Sequence, residues 1–349
     1  MQKPILIVGQ GLAGTWLSFF FRKANIDFRI IDNNHFQSSS AVAAGLINPI
    51  VPKRLTKTWM FDELFPDFIS STYCELETRL GNQYFYPNRK IHKLFFHADD
   101  ITAWENGRNA RLQNVLADVK KSSLNTSLEP HLGYAAINYS AWVNTPNLIS
   151  DYRIKLTADD LLLSEKFDHT AVEISDNLVL YKGAAYERII FCEGVQNSLN
   201  PWFASLPMLP AKGEELTLHA PGLNLTATVT AGLHIIPLGN DLYSVGSTFR
   251  WDDLRPIPTE AAKEEILTKF SKIYKGAFQI VNHIAGIRPA ARDRRPFVGF
   301  HPAHKRIGIL NGLGTKGLIL APLMSHYLTQ NILHGTEIPK ECSIQRFYK

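Results

Sequence analysis

Cysteine is scarce in this chain: Cys74, Cys192 and Cys342 lie far apart among 349 residues and share no CxxC or Cys/His cluster. That spacing excludes a disulfide framework and a zinc centre. His301 and His304 form the one close histidine pair of note, but Pro302, Lys305 and Arg306 around them describe a surface loop, so no metal is expected. Excess charge of one sign is also small, since 37 Lys and Arg against 32 Asp and Glu leave +5. So dispersed an excess favours an anionic ligand but does not mark a nucleic-acid binder. No stretch reaches the roughly 18 uninterrupted apolar residues of a membrane-spanning helix. Lys3 and the apolar run from Ile5 to Phe21 imitate a secretory leader, yet Gly9, Gly11 and Gly14 interrupt it and no small-residue cleavage site follows. The expectation is a cytoplasmic protein with no membrane partner. Repeats and low-complexity tracts are missing as well. What is present is apolar: 45% hydrophobic and 20% charged residues over 349 positions, enough for about two domains at roughly 150 residues each.

Pro4 to Val8 (PILIV) suits a strand buried on both faces, and Gly9-Gln10-Gly11-Leu12-Ala13-Gly14 follows it at once. Leu12 to Lys23 has helical character, and Phe28 to Ile31 is a second apolar strand ending at Asp32. Strand, turn, helix and strand make one βαβ unit, which turns a weak GxGxxG pattern into a dinucleotide site. Gly9 permits the tight turn, Gly11 lets a pyrophosphate touch backbone, and Gly14 lets helix and strand pack closely. The first-turn amides of Leu12 and Ala13 point at the anion. Asp32, with Asn33 beside it, is placed to accept hydrogen bonds from an adenosine ribose. An acid there disfavours a 2′-phosphate and therefore NADP.

The motif alone does not separate NAD from FAD. Three later segments bear on that choice. Ser38 to Pro49 (SSSAVAAGLINP) is a small-residue loop whose hydroxyls and bare backbone suit a pyrophosphate and a flat ring. Tyr186 to Gly194 (YERIIFCEG) is an apolar strand ending in glycine. Near the C-terminus stand Gly286 to Gly299 (GIRPAARDRRPFVG) and Gly312 to Pro322 (GLGTKGLILAP). With these runs the sequence resembles the D-amino-acid oxidase/glycine oxidase superfamily of FAD-dependent oxidoreductases, from Ile5 to about Leu333. The two C-terminal runs are most similar to the flavin domain of the bifunctional aminomethyl-uridine tRNA-modification enzyme, whose fused methyltransferase domain this length does not accommodate.

The resemblance implies an α/β fold. A Rossmann-like FAD-binding domain of glutathione-reductase type would be assembled from residues 1–75, 145–205 and 284–349. A smaller α+β substrate domain with an antiparallel sheet would take residues 76–144 and 206–283. Strand-like alternation over Lys90 to His97 and Glu214 to His219, a hairpin turn at Gly239-Asn240-Asp241, and a helix capped by Thr259 agree with it independently. Non-covalent FAD is the implied cofactor. Its contacts would be Gly9, Gly11, Leu12, Ala13, Gly14, Asp32 and Asn33 at the opening turn, Ser39, Ser40, Ala44, Gly45, Leu46 and Asn48 in the small-residue loop, and Phe167, Cys192 and Gly194 beyond. Gly312, Leu313, Gly314, Thr315, Lys316, Gly317 and Leu318 complete the set, with backbone N–H groups and a helix dipole near the reduced ring.

The implied activity is oxidation of the C–N bond of a small amino acid or secondary amine by hydride transfer, with dioxygen as reoxidant. The alternative is removal of a carboxymethyl group from a tRNA wobble uridine. Arg288 resembles the arginine that pairs with the substrate carboxylate, a task for which a planar fork suits better than lysine. His234 falls where the family places a pocket-lining aromatic, and also reads as a strand histidine satisfied by a neighbour. Lys53 and Lys316 are candidates for activating dioxygen, or else ordinary lysines. The partner is then a small carboxylate-bearing amine, with tRNA as the second option.

Overall fold

A computed structural model describes residues 3–33 and 38–348. Its first sheet has six strands in the order Leu162–Leu163, Phe28–Ile31, Ile5–Val8, Arg188–Phe191, Ile307–Asn311 and Phe297–Phe300. The first five run parallel; Phe297–Phe300 is antiparallel to its neighbour. Ile5–Val8 is buried at every position, as expected for an apolar run that pairs on both edges and is covered on both faces.

Leu12–Lys23 forms the first helix, and every residue from Leu12 to Phe21 is buried. Burial all round follows from its place between this sheet and the C-terminal helix Gly317–His334. That second helix carries Pro322 in its interior. Proline has no N–H to give the carbonyl four residues back, and the buried Tyr73 hydroxyl donates to the Leu318 carbonyl instead, at 2.9 Å. Gly335, at φ 67°, ends the helix in the left-handed conformation glycine tolerates.

The second sheet has seven strands: Gln279–Arg288, Ala211–His219, Leu242–Gly246, His234–Gly239, Thr228–Thr230, Ile91–Phe95 and Gly133–Ile137, in that order. All pair antiparallel except Thr228–Thr230 with Ile91–Phe95. The hairpin turns through Asn240 and Asp241, both at positive φ, and Thr259 caps the helix Glu260–Phe270 by accepting from the Ala262 amide. Gln279–Arg288 stays in this sheet past residue 284 to deliver Arg288 at its end. No helix among the described residues is long and apolar enough to cross a membrane, and none of their His, Cys, Asp and Glu residues group to hold a metal ion.

Candidate active site

The C-terminal ends of the parallel strands open on a cavity of ≈ 1080 Å³, lined there by Gly9, Asp32, Cys192 and Asn311. This is where ligands of open α/β sheets bind. The volume stands at the upper end of the roughly 300–1,000 Å³ usual for small-molecule sites, room for an extended cofactor with a substrate beside it.

Close packing dictates the glycines at the first turn. Gly9 takes φ +101°, and a Cβ on it would lie 2.6 Å from the Cys192 carbonyl oxygen; one on Gly14 would lie 1.9 Å from the Gly9 oxygen. No side chain caps the helix start at Gly11, and the Ser40 hydroxyl accepts from the Leu12 amide at 2.9 Å. Asp32 is engaged from two sides: Oδ2 accepts from the Gln10 amide at 2.9 Å and Oδ1 from Arg153 Nη1 at 2.6 Å. A carboxylate oxygen accepts more than one hydrogen bond, the chemistry that a ribose hydroxyl needs. Arg153 arrives from the helix Thr145–Ala158, far away in sequence, and no local signal announces it.

Phe167 stacks on Tyr181 with ring centroids 4.5 Å apart and lines the cavity. Beside it His169 Nε2 meets Glu193 Oε1 at 2.8 Å, a further pair of cavity residues that sequence reasoning missed. Cys192 is buried, which raises its thiol pKa well above the ordinary value and keeps it protonated. Asn33, Ser39, Ser40, Ala44, Gly45, Leu46 and Gly194 line the same space, as do Leu313, Gly314, Thr315, Gly317 and Leu318 at the start of the C-terminal helix.

At the other end lies Arg288. Its guanidinium rests across Gly213, where a Cβ would come within 2.0 Å of Nη2. Nη2 donates to the Ser247 hydroxyl at 2.8 Å, and Nη1 to the Lys212 and Thr248 carbonyls, each at 3.3 Å. The Phe249 ring packs against it at 5.1 Å. Burial lowers the Arg288 pKa from its usual value and the Glu215 charge opposes that shift; an arginine stays protonated throughout. His234 and Glu215 line the cavity too, with Nε2 and Oε1 3.5 Å apart. Glu215 went unnoticed in the sequence because its strand reads as ordinary alternation.

The lysines fall differently. Lys316 is a half-buried tether: its Nζ donates to the Asn48 carbonyl at 2.6 Å and to the Ile50 carbonyl at 2.9 Å. Burial lowers its pKa to about 8. It thus fastens the small-residue loop to the C-terminal helix, and Lys316, Asn48 and Gly312 stand behind the residues that line the cavity. Lys53 is exposed on the turn after Ile50–Val51 and is not among the residues that line the cavity.

A glycine turn with no room for a Cβ at Gly9 and Gly14, a helix start on a long cavity, and the Asp32 carboxylate on the same cavity fit an FAD molecule. Comparison with known proteins agrees with that fit. The family model described as DAO, FAD dependent oxidoreductase, matches residues 4–331. The glycine oxidase of Bacillus licheniformis is 31% identical over 36% of this chain and 34% of its own length. The tRNA 5-methylaminomethyl-2-thiouridine biosynthesis bifunctional protein of Aromatoleum aromaticum is 29% identical over 44% of this chain and 27% of its own. The matched stretches are thus about a third or less of either relative's length. In fold, the crystal structure of iminodiacetate oxidase from Chelativorans sp. BNC1 superposes with a TM-score of 0.81 at 21% identity, covering 97% of this chain and 98% of that one.

Proposed function

The chain belongs to the family of FAD-dependent oxidoreductases, and from that premise we propose that it oxidises the C–N bond of a small, carboxylate-bearing amine. The observation that carries this reading is Arg288, half-buried at a strand end and held by three neutral acceptors on the cavity that the opening glycine turn also lines. A guanidinium so held offers its remaining N–H groups as a fork to a carboxylate. FAD, when bound, supplies the hydride acceptor, as the cofactor does throughout such chemistry. The protein's share is binding and placement. The start of the first helix would receive the pyrophosphate with its dipole and the first-turn amides beyond Leu12, whose own N–H is held by Ser40. Gly314, Thr315 and the start of the C-terminal helix line the cavity and would supply backbone N–H groups and positive potential to a reduced flavin ring bound beside them. Leu254 and Pro256 add apolar surface to the cavity wall.

Anaerobic mixing of the FAD-loaded protein with glycine, sarcosine, proline and D-alanine tests this. Bleaching of the flavin band by at least one of them is expected; none by any would refute the reading. The second reading, removal of a carboxymethyl group from a tRNA wobble uridine, is supported by Phe249 and Trp251, 43% and 57% exposed, the former on the cavity wall. Exposed rings of this kind stack unpaired bases. Neighbouring Arg250 and Arg255 are already paired with Glu265 and Asp253, which leaves little charge there for phosphates. Bleaching only by carboxymethylaminomethyl-modified tRNA would select that reading.

A further inference from the structure

A row of three residues crosses the second sheet near Arg288. Glu215 pairs with Gly246 on the next strand, and Gly246 pairs with His234 on the one after. Directly paired residues present their side chains on one face, so Glu215 and His234 stand on either side of a position without a side chain. A Cβ on Gly246 would lie 2.7 Å from Cγ of Glu215, so glycine there gives the carboxylate room to lie toward the imidazole. His234 Nε2 faces Glu215 Oε1 at 3.5 Å, and the Ser244 hydroxyl donates to Oε2 at 2.8 Å.

A buried carboxylate is costly unless it is needed or well compensated. Burial drives the Glu215 pKa up, yet the nearby His234 imidazole, the Ser244 hydroxyl and the charge of Arg288 outweigh it and hold the group below the usual carboxylate range. Balancing Arg288 does not account for where Glu215 lies, because the hydrogen bonds of Arg288 go to neutral acceptors while Glu215 opens on the cavity. Around Arg288 the cavity wall therefore presents a held guanidinium and, on the neighbouring strand, a held carboxylate to whatever enters.

Resting on the amine reading above, the geometry points to Glu215 as the residue that selects the substrate: it receives the ammonium while Arg288 receives the carboxylate, so the site takes amino acids and N-alkyl amino acids as zwitterions and turns away iminodicarboxylates. The second carboxylate of an iminodicarboxylate sits one methylene from the nitrogen and would face Glu215 charge against charge. His234 and Ser244 fix the orientation of the carboxylate.

The test compares FAD-loaded wild type, Glu215→Gln and Glu215→Asp. Acetate affinity is read from the shift it causes in flavin absorbance, and sarcosine and iminodiacetate affinities from the concentration dependence of anaerobic flavin reduction or spectral shift. Loss of a buried charged partner should weaken sarcosine about tenfold or more in Glu215→Gln, leave acetate unchanged or tighter, and narrow the preference for sarcosine over iminodiacetate. Glu215→Asp, which keeps the charge, should restore part of the sarcosine affinity. Parallel losses for sarcosine and acetate in both variants, or unchanged sarcosine affinity in Glu215→Gln, would overturn the inference and leave the amine reading standing. A wild-type flavin that binds acetate but is reduced by no amine overturns both.

Discussion

Replacing Arg288 by lysine keeps the positive charge and removes the fork. In the native site the guanidinium spends three hydrogen bonds on Ser247, Lys212 and Thr248 and still has N–H groups left for a carboxylate. A lysine ammonium has three donors in all, so it cannot satisfy those acceptors and hold a two-oxygen anion as well. Loss of one charge-assisted bond, about 1.5–3 kcal/mol, corresponds to roughly 10- to 150-fold weaker carboxylate binding. Arg288→Ala should be worse, at about 2–5 kcal/mol, because Glu215 then faces an entering anion without the Arg288 charge that offsets it. Neither change touches the residues around Gly9 or Ser40, so FAD content should be unchanged. The assay is titration of the FAD-loaded variants with acetate and sarcosine, followed by flavin absorbance. Wild-type acetate affinity in Arg288→Ala, with FAD retained, would refute the reasoning.

Lys316 should give stability a pH slope. Its folded pKa of about 8 lies below the ordinary 10.5, so between those values the unfolded chain binds more protons and unfolding free energy rises with pH; the cost of the buried charge is fully present below about pH 8. The span is about 3 kcal/mol. Urea unfolding from pH 7 to 10.5 should show that rise in wild type and lose it in Lys316→Met. Gly14→Ala forces a Cβ against the Gly9 carbonyl at 1.9 Å, between two backbones that cannot yield; destabilisation of about 3 kcal/mol or more is expected, read by thermal denaturation together with loss of bound FAD. Lys53→Ala, on an exposed turn, should leave the rates of anaerobic flavin reduction and aerobic reoxidation at wild-type values in stopped-flow measurements.

The parts of the site carried by contiguous backbone were legible in the chain. The opening strand, glycine turn and helix follow from local rules, because Gly14 is demanded by a contact five residues away and Gly9 by one neighbouring strand. Arg288 was legible as a residue type in a local run. Glu215 was not, because its meaning depends on Gly246 and His234 on two other strands, and register across a sheet is set by tertiary pairing. Arg153 was hidden for the same reason, since it reaches Asp32 only after the chain between them has folded. The lysines show the limit most clearly: Lys316 and Lys53 read alike in sequence, yet burial makes one a tether for the small-residue loop while the other faces solvent.

A crystal structure of the FAD-loaded protein grown with acetate tests the central arrangement most directly. The account predicts the cofactor extended from Asp32 past the Leu12 and Ala13 amides, with acetate bound through two oxygens to Arg288 on the ring side of the cavity. Acetate held elsewhere, or a cofactor that leaves the opening glycine turn empty, would contradict it.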